Sequence, residues 1–333
     1  MNPVNLVGID VSDATFDAKK RCGEVVSHRQ FDNTAAGHLQ AIRWILRGTH
    51  DARVCLEATG IYHLQLSLAL SEAAGIELMV LNPRASRRFA EARLTRAKTD
   101  KVDAEGLLEY LQRMPFRPWT PPNDEILELQ SIAHRLAQLG KEQRREQARL
   151  HAAQRAGKHT RIAQSDLRQH LRYLAGRAKA IESEAIALMK RHPSLAEDLR
   201  LVDTAPGFAE LSSMKLLAEI EVLPKNLRAP QWVAQAGLDP QPKESGNKKG
   251  PRQISKQGNS KISAALFYPA MSASQHDPNV NAFYESLIAR GKTPLQALVA
   301  VMRKLLHAIW GMLHHRQPWD GNKFYRLNPV KST

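Results

Sequence analysis

The sequence predicts an α/β domain followed by a helical remainder, and three observations carry this. Short β-branched runs alternate with helical periodicity up to about residue 114, prolines cluster at 115, 118, 121 and 122, and a long charged block rich in Ala, Leu, Gln, Arg and Glu follows. The implied organisation is an α/β domain over 1–114, a Pro-rich linker over 115–124, a helical segment over 125–200 suited to a coiled coil or antiparallel pair, and a helical domain over 201–333.

The apolar, extended run Asn5 to Asp10 reads as a first strand. Phe16 to Arg21 and Val25 to Phe31 read as the next two, joined through turns carrying Ser12, Asp13 and Gly23. Ala36 to Leu46 has helical spacing, Arg53 to Glu57 is a strand, Ile61 to Ala74 a helix, and Ile76 to Leu81 a strand stopped by Asn82-Pro83. Helical segments follow at 84–93 and 99–113. Three strands, helix, strand, helix, strand and terminal helices is the order of a ribonuclease H-like domain, although other α/β folds share it. In the next block Leu127, Ile132, Leu136, Leu139, Leu171, Leu174, Ile181 and Leu188 form an apolar stripe at mixed three and four spacing. Gly140 and Ala156-Gly157-Lys158 are its weak points, so it is one bent helix or a helical hairpin. Beyond it, Ala205-Pro206-Gly207 makes a tight turn before a helix over Glu210 to Ile220, and its backbone amides are a candidate phosphate site. Ala234 to Asp239 and Ile262 to Ser274 are helical flanks of a Gly- and Lys-rich loop, and 279–289 and 294–314 are helical again.

The 333 residues hold 48 Lys plus Arg against 33 Asp plus Glu, a formal net charge of +15. Such a surplus in a folded chain favours a polyanionic partner, because nucleic acid releases counterions to it; an anionic membrane surface is the competing partner. The excess is uneven: residues 1–124 hold 16 basic and 15 acidic groups, whereas 241–333 hold 14 and 4. No apolar run approaches the roughly 20 residues that span a bilayer, and the start lacks a signal core, so a cytoplasmic protein, nucleoid-associated when bound to DNA, is expected. Cys22 and Cys55 stand in no metal-ligand or disulfide pattern and read as ordinary thiols.

Four acids stand out. Asp10 ends the first strand, Glu57 ends a later one, and Asp100 and Asp103 are three apart on a helix and hence on one face. Convergent carboxylates suit two divalent cations about 4 Å apart that stabilise the attacking and leaving oxygens of a phosphodiester exchange; Mg2+ fits best, and Mn2+ also serves. Each has a plainer reading: Asp10 as a turn residue, Glu57 in a surface pair, Asp100 as a helix cap. The second candidate is Ser245, in a stretch from 241 to 261 with six basic residues, Lys243, Lys248, Lys249, Arg252, Lys256 and Lys261, and one acid. A serine attacks phosphorus only if something takes its proton and something offsets the developing charge. The plainer reading is a phosphate-binding turn, and Ser255 and Ser260 are rivals.

Taken together, Gly8-Ile9-Asp10-Val11-Ser12, Leu56-Glu57-Ala58-Thr59-Gly60, Asn82-Pro83, Lys98-Thr99-Asp100-Lys101-Val102-Asp103-Ala104, Ala205-Pro206-Gly207, Ala236-Gly237-Leu238, Ser245-Gly246 and Ile254-Ser255-Lys256-Gln257-Gly258-Asn259 resemble the transposases of insertion-sequence family one-hundred-ten, relatives of the Piv invertases. The resemblance covers nearly the whole chain. It implies a RuvC-like domain whose Asp-Glu-Asp-Asp site falls on Asp10, Glu57, Asp100 and Asp103 and holds magnesium. It also implies a transposase domain whose nucleophilic serine falls on Ser245. It further implies a homodimer or homotetramer in which the two domains of one composite site come from different protomers, with double-stranded DNA and a structured bridge RNA as partners. Ala209 departs from the pattern, standing where a helix-hairpin-helix has its second glycine.

Three other readings compete. A RuvC-like structure-selective nuclease would use metal-activated water and need no serine. A non-catalytic nucleic-acid scaffold would tolerate changes at Asp10 or Glu57. An actin-like kinase shares the acid after a first strand but needs a second phosphate loop, and here a basic helical block follows.

Overall fold

The computed structural model describes residues 4–58, 60–92, 100–241, 244–245, 248–249 and 253–327. The chain divides into two compact units, Met1–Pro121 and Pro122–Thr333.

The first unit is built on a five-stranded mixed sheet: β1 (Asn5–Val11), β2 (Thr15–Cys22), β3 (Val25–Asp32), β4 (Ala52–Glu57) and β5 (Ile76–Leu81), in the order β3-β2-β1-β4-β5. The first three strands pair antiparallel, while β1, β4 and β5 run parallel. Period-two alternation makes both faces apolar along the central strands, so both are covered. Val7, Ile9 and Val11 join Val54, Leu56, Leu66, Leu70, Ala41 and Ile45 on the face of α1 (Ala35–Ile45) and α2 (Leu64–Glu72). Thr34 caps α1, its hydroxyl accepting from the Gly37 amide at 3.2 Å. Helix α2 begins at Leu64, three residues later than the spacing predicts. Gly60 takes a left-handed φ of 56° and the chain turns through Ile61 to His63 before the helix starts.

The opposite face carries Cys55, Met79 and Leu81, packed with Leu107 and Leu111 of α4 (Asp100–Arg113); α3 (Pro83–Ala92) precedes α4. Gly8 lies on this face. A Cβ there would come within 2.3 Å of the Leu108 amide nitrogen and 2.4 Å of the Ala104 carbonyl oxygen, so α4 rests on the bare backbone of β1.

The second unit opens with α5 (Asp124–Arg155) and α6 (Arg161–Arg191), joined by a short 3-10 turn over Gly157–Thr160. They form a hairpin rather than one bent helix: Glu146 meets His170 and Glu125 meets His192 across the pair. The buried apolar stripe of α5 is Ile126, Leu129, Ala133, Leu136, Leu139 and Leu150; it includes the predicted Leu136 and Leu139, while the predicted Leu127 and Ile132 are only half-buried. At its base the hairpin shares one core with α7 (Pro193–Asp203), α8 (Glu210–Ile220), α9 (Ala229–Gln235), α10 (Ser260–His276), α11 (Pro278–Ala289) and α12 (Pro294–His315), and the short α13 (Gly321–Phe324) packs on it through Phe324. Helix α9 stops at Gln235 instead of running to Asp239, because Gly237 turns the chain with a φ of 66°. The predicted loop between α9 and α10 contains two small ribbons: β6 (Pro240–Gln241) pairs with β9 (Gln253–Ile254), and β7 (Glu244–Ser245) with β8 (Lys248–Lys249). No helix among the described residues is long and apolar enough to cross a membrane.

The contact at Gly8 sets a first expectation. Gly8→Ala forces a methyl into backbone that has no flexible end to yield, and should lower unfolding free energy by about 3 kcal/mol in a denaturant titration.

Candidate active site

Register places two of the four acids together. In the parallel β1–β4 pair, Gly8 sits opposite Cys55 and Ile9 opposite Leu56, so the next residues, Asp10 and Glu57, are neighbours; Glu57 ends β4, whereas Asp10 stands one residue before the end of β1 at Val11, not at its end as expected. Two residues beyond Gly8 and Cys55, both acids belong to the face that α4 covers. Leu6 packs with the Leu107 and Leu111 cluster, and Gly8 meets Ala104 through Leu108. Continuing along β1, Asp10 is therefore directed toward the amino-terminal turn of α4, the turn that carries Asp103 and begins at Asp100. Asp10, Glu57 and Asp103 are each half-buried; the side chain of Asp100 lies outside the described residues. Among the described residues no group of three or more His, Cys, Asp or Glu side chains is gathered closely enough to hold a metal ion.

The surroundings of each acid are specific. Glu57 Oε2 accepts a hydrogen bond from Ser86 Oγ at 2.6 Å, and Ser86 belongs to α3, whose first turn is capped by Asn82 Oδ1 on the Arg84 amide at 2.9 Å. Asp10 faces Asp17 across the antiparallel β1–β2 ladder. Two carboxylates directly opposite would repel. The buried Asp17 is engaged from the next strand, its Oδ1 2.6 Å from His28 Nε2 and its Oδ2 accepting from Gln30 at 3.0 Å. Lys19, opposite Gly8, reaches Glu105 of α4 at 2.9 Å. Sequence reasoning missed Asp17 and Ser86. Counting residues back across the Ser12–Ala14 turn would have paired Asp17 with Asp10; nothing local to Ser86 announces its bond to Glu57.

Ser245 ends β7 and pairs with Lys248 across a two-residue connection, with Glu244 opposite Lys249. Lys243 and Arg252 lie outside the described residues, as do the side chains of Ser245, Lys248 and Lys249. The base of this loop is well defined. Ser255 donates its hydroxyl proton to Asp239, and the Ser255 amide donates to the Asp239 carbonyl at 2.9 Å. Gly258 is pressed so closely on α9 that a Cβ would come within 2.1 Å of the Gln235 carbonyl. Lys256 is exposed and takes a left-handed φ of 53°, its amide donating to the Gly237 carbonyl at 3.0 Å. Of the two rival serines, Ser255 thus closes the loop base and Ser260 opens α10 on the surface.

Lys261 has a partner within the protein. Its Nζ lies 2.6 Å from His134 Nε2, and the same nitrogen is 2.9 Å from Oε1 of the buried Glu219. One ring nitrogen either accepts from the ammonium or donates to the carboxylate, so the tautomer of His134 decides which bond forms. Asn259 completes the group by donating to Glu219 Oε2 at 2.5 Å, tying α5, α8 and the start of α10 together. Burial lowers the Lys261 pKa, opposed by the Glu219 charge. At the Ala205-Pro206-Gly207 turn, Gly207 has a φ of 78°, and a Cβ would come within 2.1 Å of the Pro269 carbonyl, so the turn is shaped by packing on α10.

The fold and site define a mixed α/β and helical protein with two acids on adjacent central strands, on the face covered by an acid-bearing helix, and a basic serine loop in the helical unit. Comparison with known proteins narrows this class. A DEDD-type transposase profile of the IS110 group matches residues 7–155, a span that includes all four acids, and the profile of the Transposase IS116/IS110/IS902 family matches residues 199–285. The chain belongs to the IS110 family of transposases, enzymes that act on DNA. It is similar to the pilin gene-inverting protein of Moraxella bovis, at 26% identity over 94% of this chain and 97% of that protein, and equally to its counterpart in Moraxella lacunata. An uncharacterized 43.6 kDa protein of insertion element IS110 from Streptomyces coelicolor is 27% identical over 40% of this chain and 32% of its own length.

The site also predicts a difference between the two thiols. Burial, reinforced by the charge of Glu57, pushes the Cys55 thiol up to about 12. Only the thiolate alkylates, so at pH 8 Cys55 should react with iodoacetamide about a thousandfold more slowly than an ordinary cysteine. Peptide mapping should show the half-buried Cys22 labelled first, and Cys55 labelled only in denaturant.

Proposed function

We propose that this transposase is a divalent-metal-dependent DNA recombinase in which Asp10, Glu57, Asp100 and Asp103 bind the metal and Ser245 is the nucleophile. The observation that carries the reading is the pairing of Asp10 and Glu57 on adjacent strands, on the face covered by α4. The strand order β3-β2-β1-β4-β5, with β2 antiparallel, supports a ribonuclease H-like, RuvC-like domain for 1–114. The donor chemistry fits the metal: half-buried carboxylate oxygens on rigid strands and a helix suit a hard cation such as Mg2+ or Mn2+. When bound, the cation would polarise a phosphodiester and stabilise charge on its leaving oxygen.

The protein's own groups supply the rest. The Ser245 oxygen forms a bond to phosphorus as its proton passes to a base, and the displaced strand hydroxyl leaves with a proton, so a protein–DNA phosphoester conserves the energy of the broken bond. Lys243, Lys248, Lys249, Arg252 and Lys256 stand in the stretch around that serine, where cations neutralise phosphate charge. The names of the Moraxella relatives point to inversion of a DNA segment as a related outcome. The helical hairpin over 125–200 is proposed as the dimerisation segment of a homodimer or homotetramer. The positive surplus of the chain is compatible with a structured bridge RNA alongside double-stranded DNA.

Covalent trapping tests the chemistry. Wild type incubated with element-end DNA and Mg2+ should yield a denaturant-resistant protein–DNA adduct, while Ser245→Ala should give none, and Asp10→Asn and Glu57→Gln should each reduce it at least a hundredfold. Ser255→Ala and Ser260→Ala should retain it. Cleavage without an adduct by Ser245→Ala would instead favour a nuclease using water.

A further inference from the structure

We propose that Asn33 is a positioning residue for the acidic site, its side chain clasping the continuations of β1 and β4 so that Asp10 and Glu57 keep the spacing a divalent cation requires. The register between these strands runs from Asn5 opposite Ala52 to Ile9 opposite Leu56, and so ends one pair before the two acids. Beyond that point β1 enters the turn over 12–14 and β4 the loop that leads to α2. Two ligands on separate loops hold a fixed geometry only if something joins the loops.

Asn33 joins them. It follows β3, which β2 and β1 separate from β4 in the sheet, yet its Nδ2 donates to the Ser12 carbonyl at 3.0 Å and to the Tyr62 carbonyl at 3.1 Å, with the Asp13 carbonyl at 3.4 Å. Ser12 stands two residues beyond Asp10, and Tyr62 five beyond Glu57. Carbonyls only accept, so the amide nitrogen faces them and Oδ1 is left as an acceptor for His38, whose Nε2 lies 2.8 Å away and carries the proton. One side chain thereby ties the β1–β2 turn, the loop before α2 and the buried ring of His38 in α1.

The anchor itself is rigid. The Asn33 amide donates to the Ala14 carbonyl at 2.8 Å, and Gly37 presses on the residue before it, where a Cβ would come within 1.9 Å of the Asp32 carbonyl. Ser12 is fixed from the other side, its hydroxyl and amide both donating to the Thr15 carbonyl, at 2.6 and 2.9 Å. An asparagine that only shapes a turn bonds its near neighbours. The carbonyls that Asn33 reaches are 20, 21 and 29 residues distant. Its hold is on backbone, so it sets the separation of the two strand continuations whichever face the carboxylates occupy. This inference rests on the reading of Asp10 and Glu57 as metal ligands, and adds the residue that spaces them.

Manganese binding and hydrogen exchange test it together. Full-length wild type, Asn33→Ala, Asn33→Leu and Asp10→Asn are titrated with Mn2+, and the free ion is read by electron paramagnetic resonance. Leucine keeps the approximate shape of asparagine, and neither Asn33 change alters charge, so a shift in affinity reports geometry. Both should weaken Mn2+ binding about tenfold. Binding to a random-sequence DNA duplex without metal should stay within about twofold of wild type, because no phosphate contact is lost. In the metal-free variants exchange should quicken together in peptides over 12–15 and 60–64, and stay unchanged in the ladder over 52–56.

Asn33 variants that bind Mn2+ like wild type while Asp10→Asn does not would make the clasp merely structural; the proposal is then overturned and the acidic-site reading stands. Exchange that quickens in one segment alone, or in neither, overturns it as well. If Asp10→Asn also binds Mn2+ like wild type, the reading of the acids fails first and the proposal falls with it.

Discussion

Everything in the first unit depends on how closely α4 lies on β1. A helix normally keeps its distance from a sheet because side chains fill the gap; at Gly8 there is none, and the Ala104 carbonyl and Leu108 amide occupy the space a Cβ would need. This contact has a functional direction. Gly8 and Asp10 are two residues apart on one strand face, and Ala104 directly follows Asp103 on the helix. The residue that permits the approach is thereby coupled to those that the approach delivers, and the sheet register adds Glu57 from the adjacent strand. The acids owe their common face to backbone packing, which is less deformable than any side-chain contact between them.

The second unit uses the same device at another place. Gly258 against the Gln235 carbonyl, and Gly207 against that of Pro269, bring backbone onto backbone around the loop that holds Ser245 and at the turn before α8. Hydrogen bonds complete the loop base: Ser255 to Asp239, and Asn259 to the buried Glu219, which also meets His134 from the long hairpin. Basic residues in this stretch consequently differ in circumstance. Both Lys256 and Lys261 are exposed, but Lys261 reaches His134 while Lys256 stands on a left-handed backbone. Charge counted along a sequence treats these two as equal; packing does not.

Much of the fold was legible because it is written in local periodicities. The five strands, the Asn82-Pro83 stop, and the helices after Pro278 and Thr293 follow from alternation, turn chemistry and caps. The departures have physical causes. In α5 the expected Leu136 and Leu139 are buried, but Leu127 and Ile132 give way to Ile126, Leu129 and Ala133 because a hairpin buries the residues facing its partner helix and the base core, and a charged helix offers several apolar registers. Helix α9 ends early because a left-handed glycine outweighs favourable neighbours, and the short ribbons at 240–254 are too brief to show a period.

The sequence by itself determined the residue types and their order: carboxylates at or near the ends of strands, two acids one helical turn apart, and a serine among cations, enough to recognise the family. Only the tertiary structure decided which of these share a face. Asp10 and Glu57 are 47 positions apart and Ser86 a further 29, so no local preference relates them. Their proximity comes from parallel register between β1 and β4 and from the folding of α3 back toward Glu57. Both are consequences of long-range packing, which acts on surfaces that do not exist until the chain has folded.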